Sequence, residues 1–208
     1  MFYNITLIPR ATLMNDNLLT YITDKKVSPF IGRNAKGKVL LVGQDPTIQA
    51  KKEIRTVLEL DKSHSNLYHF ITQDILTPLN LTIDEVYATN VINHFFIKTP
   101  KQIAEEIGMS LSSFVNYFAD YCFDEFSKEI TGITPKVVIT LGEPVYEFFN
   151  YKFELGLDKI KNTFATLIKA HILDQNVNLI PCVHYNTAHL QKHYSNQTEK
   201  LKQINLRL

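Results

Sequence analysis

Four short apolar runs, spaced along the chain with helical patterns between them, constrain this sequence most. They are Lys38-Val-Leu-Leu-Val-Gly43, Glu85-Val-Tyr-Ala-Thr-Asn90, Lys136-Val-Val-Ile-Thr-Leu-Gly142 and Asn178-Leu-Ile-Pro-Cys-Val183. Continuous apolar runs of this length suit strands buried on both faces of a parallel sheet. Pro181 weakens the fourth, because proline has no N–H for a ladder. Between the runs, Leu67, Phe70, Ile71, Ile75 and Leu79 recur at helical spacing, as do Leu111, Phe114, Val115, Phe118, Cys122, Phe126 and Ile130. Ser110 is the expected N-cap of the second pattern and Gly132 its stop. A mostly polar helix is expected over 187–204. The alternation predicts an α/β fold, a three-layer α/β/α sandwich around a central, mainly parallel four-stranded sheet. The stretch 153–176 is ambiguous, with room for an extra strand around 165–172.

At 208 residues and 45% apolar, the chain is long enough for one domain over residues 1–208 with a sizeable core. The net charge of +1 makes the whole molecule no magnet for nucleic acid. Its distribution is uneven. Lys25, Lys26, Arg33, Lys36 and Lys38 fall in a stretch without acids, and the segment 120–129 is acidic. A basic edge suits phosphate contact on one face, and a solvated surface explains it equally well. Cys122 and Cys182 are too few and too far apart in sequence for a metal cluster or a disulfide framework. No apolar run approaches the roughly 18 residues of a membrane span. The expectation is a soluble, cytoplasmic monomer.

In open α/β sheets, ligands sit outside the carboxyl ends of the strands. The residues there are Gln44 and Asp45, then Asn90, then Gly142 and Glu143, then His184, Tyr185 and Asn186. If the strands are parallel, an acid, an amide and an imidazole converge on one edge. A carboxylate can orient water, an amide can read the edge of a base, and an imidazole can stabilise a departing anion.

Gly43-Gln44-Asp45-Pro46 matches the start of the GQDPYH motif of the uracil-DNA glycosylases. Ala88-Thr89-Asn90-Val91 resembles the strand that carries their uracil-reading Asn. Pro135 to Gly142 is similar to their PKVIVALG strand, and His184 stands where their HPSPLS-type motif begins. Together these blocks resemble the uracil-DNA glycosylase-like superfamily, in a divergent form without the four Cys of its iron–sulfur branch. The resemblance implies hydrolysis of the N-glycosidic bond of uracil or another deaminated base flipped out of DNA, as in base excision repair. Asp45 and His184 would be catalytic, and Gln44 and Asn90 would bind the base. Thr47, Tyr185, Asn186, Lys36 and Lys38 are candidate DNA contacts. That chemistry uses no metal and no cofactor.

The chain departs from the pattern where Thr47 and Ile48 replace the family's Tyr and His, so the usual shield against the thymine methyl is missing. His184-Tyr185-Asn186-Thr187-Ala188-His189 lacks the prolines and the wedge Leu of the second motif; Leu190 and Tyr185 are candidate wedges, and Tyr68 and Phe70 are stacking candidates by chain order. Glu143 reads as a first-turn acid favouring a helix dipole. His189 and His193, at i and i+4, are a surface pair before they are a zinc site. The competing expectation is a member with altered or lost catalysis that binds nucleic acid, a nucleotide or a protein. A generic phosphate-binding protein ranks last, because Gln44-Asp45-Pro46 lacks the glycines of a phosphate cradle.

Overall fold

The computed structural model describes residues 16–45, 54–190 and 192–206, and of residues 16, 17, 186, 189 and 190 the backbone alone. The strands are β1 (Ile22–Lys26), β2 (Phe30–Ile31), β3 (Val39–Gly43), β4 (Val86–Asn90), β5 (His94–Phe96), β6 (Val137–Leu141), β7 (Ile168–Ile172) and β8 (Gln175–Cys182). The α-helices are α1 (Asp16–Leu19), α2 (Asn66–His69), α3 (Pro100–Glu106), α4 (Leu111–Ile133), α5 (Glu143–Lys152), α6 (Ile160–Thr163), α7 (Tyr185–Leu190) and α8 (Gln197–Lys202).

The four runs singled out in the sequence are β3, β4, β6 and β8. They lie side by side as β4-β3-β6-β8, all parallel, with Leu41 opposite Ala88 and Ile139, and Ile139 opposite Ile180. The sheet has six strands rather than four. β2 adds antiparallel to β4 and β7 antiparallel to β8. β2 has two residues, too few for any periodic signal. β7 occupies the ambiguous stretch and shows the buried–exposed alternation of a strand wet on one face. β1 and β5 form a separate antiparallel ribbon.

Pro181 is tolerated because β7 ends opposite Leu179. A residue's N–H and C=O face the same side of a strand, and the Pro181 carbonyl accepts from Ala165 N at 2.7 Å on that side. The missing donor therefore falls where no ladder needs it.

Alternate residues of the central strands feed two cores. Leu41, Ile139 and Ile180 pack against Phe70, Ile71, Ile75 and Leu201 on one face. Leu40, Val42, Val138 and Leu179 pack against Phe114, Phe118, Phe148 and Phe149 of α4 and α5 on the other. This is the three-layer sandwich. The helical segment 66–79 starts at Ser65, whose Oγ accepts from Tyr68 N at 3.0 Å, and widens to a π-helix over Phe70–Leu76.

Two helix ends differ from expectation. Ser110 does cap α4, accepting from Ser113 N at 3.1 Å. The helix then runs through Gly132, because Ile130 and Ile133 extend the buried stripe by one turn, and stops at Thr134 in the left-handed region (φ 49°). The single C-terminal helix expected over 187–204 is α7, a 3₁₀ turn at Lys192–Tyr194, and α8. The cause is Gln197. It is buried, and its Oε1 accepts from Val183 N at 2.7 Å, past the end of β8. Pairing that backbone group requires α8 to start afresh beside the sheet.

Candidate active site

The parallel sheet brings the ends of β3, β6 and β8 to one edge, where they line a cleft of about 350 Å³. Gly43, Gln44 and Asp45 follow from β3. Leu141, Gly142, Glu143 and Pro144 come from β6 and the start of α5. Val183, His184 and Thr187 come from β8 and α7, and Leu58, Ile160 and Tyr194 complete the wall. β6 lies between β3 and β8, so Asp45 and His184 stand on either side of Gly142.

Each group is held by local chemistry. Gly43 O accepts from Val91 N and Gln44 O from Ile92 N, both at 3.0 Å, so the loop after β3 stays tied to the loop after β4. The Gln44 carboxamide donates to Asp45 Oδ2 at 2.5 Å, which helps fix the carboxylate. His184 is anchored from behind by the pairing of Val183 with Gln197. Burial lowers the His184 pKa, so the imidazole is neutral at pH 7 and can donate through one ring nitrogen. Gly142 has φ 101°, a conformation that favours glycine, and its N–H donates to Cys182 O at 2.7 Å. That turn aims the N-terminus of α5 at the cleft.

Asn90 ends β4, directly opposite Gly43 in the register. It is 2% exposed, and its Oδ1 is buried without a hydrogen-bond partner. The carboxamide lies against Gly43, with a Leu58 methyl beside it. Asn90 is therefore behind the cleft floor rather than on it. Asn93 holds the turn, its Oδ1 accepting from Asn90 N at 3.3 Å. An acceptor left buried and unpaired costs about 1–3 kcal/mol.

The other sequence candidates are dispersed. Thr47 and Ile48 lie outside the described residues, as do the side chains of Asn186, His189 and Leu190. Tyr185 packs edge-on against Phe70, with ring centroids 5.6 Å apart, so it is core-packed rather than a projecting wedge. Phe70 is core and Tyr68 packs against it; neither lines the cleft. Lys36 and Lys38 precede β3, at the opposite end of the strands from Asp45, and Lys38 bonds Glu85 at 2.9 Å. The basic and acidic stretches partly meet, through Lys26 and Glu125 at 2.5 Å. His193 packs against Phe164 and Tyr194. Among the described residues no His, Cys, Asp and Glu cluster could hold a metal ion. No helix among them is long and apolar enough to cross a membrane.

Three site residues carry no sequence signal. Leu58 and Tyr194 reach the cleft from short 3₁₀ turns with no motif, and Gln197 acts only through Val183. Glu143, which the strand-end rule names, lines the cleft at the start of α5.

No curated protein sequence matches the chain. The family model described as the uracil DNA glycosylase superfamily matches residues 30–208, which takes in every strand of the central sheet and all of the cleft. With that match over most of its length, and with Asp45 and His184 at the strand ends, the chain belongs to the uracil DNA glycosylase superfamily.

Proposed function

We propose that this protein is a monofunctional DNA glycosylase that hydrolyses the N-glycosidic bond of uracil or another deaminated base. The observation that carries the reading is the convergence of Asp45 and His184 on one cleft, from strands 39–43 and 175–182, with Asn90 behind its floor. Asp45 orients the water and offsets positive charge on the sugar as the bond to the base breaks. His184, neutral, donates a hydrogen bond to the base as it gains electrons. Gln44 holds Asp45 in place, and Asn90 backs the cleft floor behind Gly43. The substrate is DNA with the target nucleotide flipped out. We place the protein in the cytoplasm as a monomer, a compartment that suits its two free, buried thiols.

One observation favours a second reading, binding without base release: the Asn90 carboxamide lies against Gly43, behind the cleft rather than on its wall, so it does not meet a base there. Both readings are tested by one panel of labelled oligonucleotides, single- and double-stranded, carrying uracil, hypoxanthine, xanthine or a thymine mismatch. Under the first, abasic sites form, and Asp45→Ala or His184→Ala slows their formation by about 100- to 1,000-fold. Binding without cleavage by the folded wild type establishes the second. Full rate in both variants rules out the assigned roles.

A further inference from the structure

Asn93 lies in the link 91–93 between β4 and β5 and does not line the cleft. Its Oδ1 accepts from Asn90 N and its Nδ2 donates to Thr89 Oγ1, both at 3.3 Å. Its own carbonyl accepts from Val27 N, just past β1, at 3.0 Å. A short amide side chain that closes back on the chain three residues earlier fixes a turn much as a backbone hydrogen bond does. Val91 and Ile92 are buried in the core under α4, which secures the rest of the link. Glu129 of α4 stands behind Asn93, and its carboxyl accepts from the Tyr87 hydroxyl at 2.7 Å. Burial raises the Glu129 pKa, and the Tyr87, Thr89 and Asn93 side chains each draw it back down, so Thr89 and Asn93 face that carboxyl.

What this link holds is the approach to Asp45. The Val91 and Ile92 N–H groups donate to the Gly43 and Gln44 carbonyls, both at 3.0 Å. Asp45 is the next residue along, and the Gln44 side chain bonds its carboxylate. A shift of the link therefore passes through two backbone carbonyls to the group that orients the water. Resting on the glycosylase reading above, we propose that Asn93 is a positioning residue for the reaction: it fixes the link 91–93, and through that link the placement of Asp45. Misplacing a reacting group by about 1 Å can cost on the order of 100-fold in rate, so loss of Asn93 is felt in kcat. Substrate binding changes little, because Asn93 is no part of the cleft wall.

The test is a double-mutant cycle on base release, using whichever oligonucleotide of the panel above the wild type acts on fastest. Asn93→Ala is compared with the wild type, and Asn93→Ala/Asp45→Ala with Asp45→Ala, at a temperature where all four are folded. Asn93→Ala is expected to lower kcat about tenfold while KM changes less than about twofold, and to add nothing to the loss in Asp45→Ala. A merely structural role lowers the rate by the same factor in both backgrounds. That result, or an unchanged kcat in the wild-type background, overturns the proposal while leaving the glycosylase reading in place. Should Asn93→Ala not fold, Asn93→Ser, whose hydroxyl can still accept from Asn90 N, is expected to show a smaller loss of kcat with the same dependence on Asp45. Release of no base by the wild type overturns the glycosylase reading instead, and amide exchange then decides the proposal. Exchange at Val91, Ile92 and Asp45 about tenfold faster in the Asn93 variant, with Ile139 of β6 unchanged, supports it. Equal exchange, or a rise at all four amides, overturns it.

Discussion

The carboxamide oxygen of Asn90 lies against Gly43, closer than 3.0 Å to where a Cβ on that residue would stand. Only glycine fits at the end of β3 with Asn90 in this position. In Gly43→Ala the Asn90 side chain or the end of β3 must shift. Overpacking of this kind destabilises by about 1–3 kcal/mol. Urea unfolding is expected to show a loss in that range, with base release falling alongside. Unchanged stability would mean that Asn90 has room to rotate away.

Burial lowers the pKa of His184 from its ordinary 6.5. The native imidazole then binds its proton less readily than the unfolded chain does. As pH falls below 6.5 the unfolded state takes up the proton first, so stability drops until the lowered native value is passed. Above 6.5 the group adds no pH dependence. Urea midpoints of wild type and His184→Gln, measured across about pH 5 to 8, are expected to diverge only on the acid side. Parallel curves would place this imidazole in water.

On the far side of the sheet, the Tyr87 hydroxyl donates to Glu129 Oε1 at 2.7 Å. Burial raises the Glu129 pKa from 4.5, and the Tyr87 hydrogen bond works against that rise. A carboxyl with a raised native pKa holds its proton longer when folded, so stability is lost as pH climbs past 4.5 toward the native value. Tyr87→Phe removes the donor and raises that value further. The variant is expected to lose about 1–3 kcal/mol at neutral pH and less in acid. Equal losses at both, read from urea midpoints, would mean that Tyr87 contributes packing alone.

Thr134 ends α4 at φ 49°, where a β-branched side chain is strained. Thr134→Gly is expected to stabilise the protein by about 1 kcal/mol, since glycine adopts that conformation freely. A rise in the thermal midpoint checks this. A fall would show that the Thr134 Oγ1 bond to Ile133 O, 2.8 Å, outweighs the strain.

The sequence by itself determined the four parallel strands, because a strand buried on both faces must be apolar throughout, and four such runs stand out in any reading. It also placed Asp45, Asn90 and His184 at strand ends, since a parallel sheet puts every carboxyl end on the same edge. Tertiary structure decided what periodicity cannot carry. Gln197 broke the last helix because a backbone N–H one residue beyond β8 needed an acceptor. Leu58 and Tyr194 joined the cleft from short 3₁₀ turns far apart in the chain. Lys38 fell at the wrong end of its strand to meet a ligand at Asp45, because five strand residues separate the amino and carboxyl edges. Asn90 was drawn behind Gly43 by the pairing of β3 with β4. Sequence pattern reports which face of an element is buried; which side chains then share one cavity depends on contacts between residues far apart in the chain, and only folding brings those together.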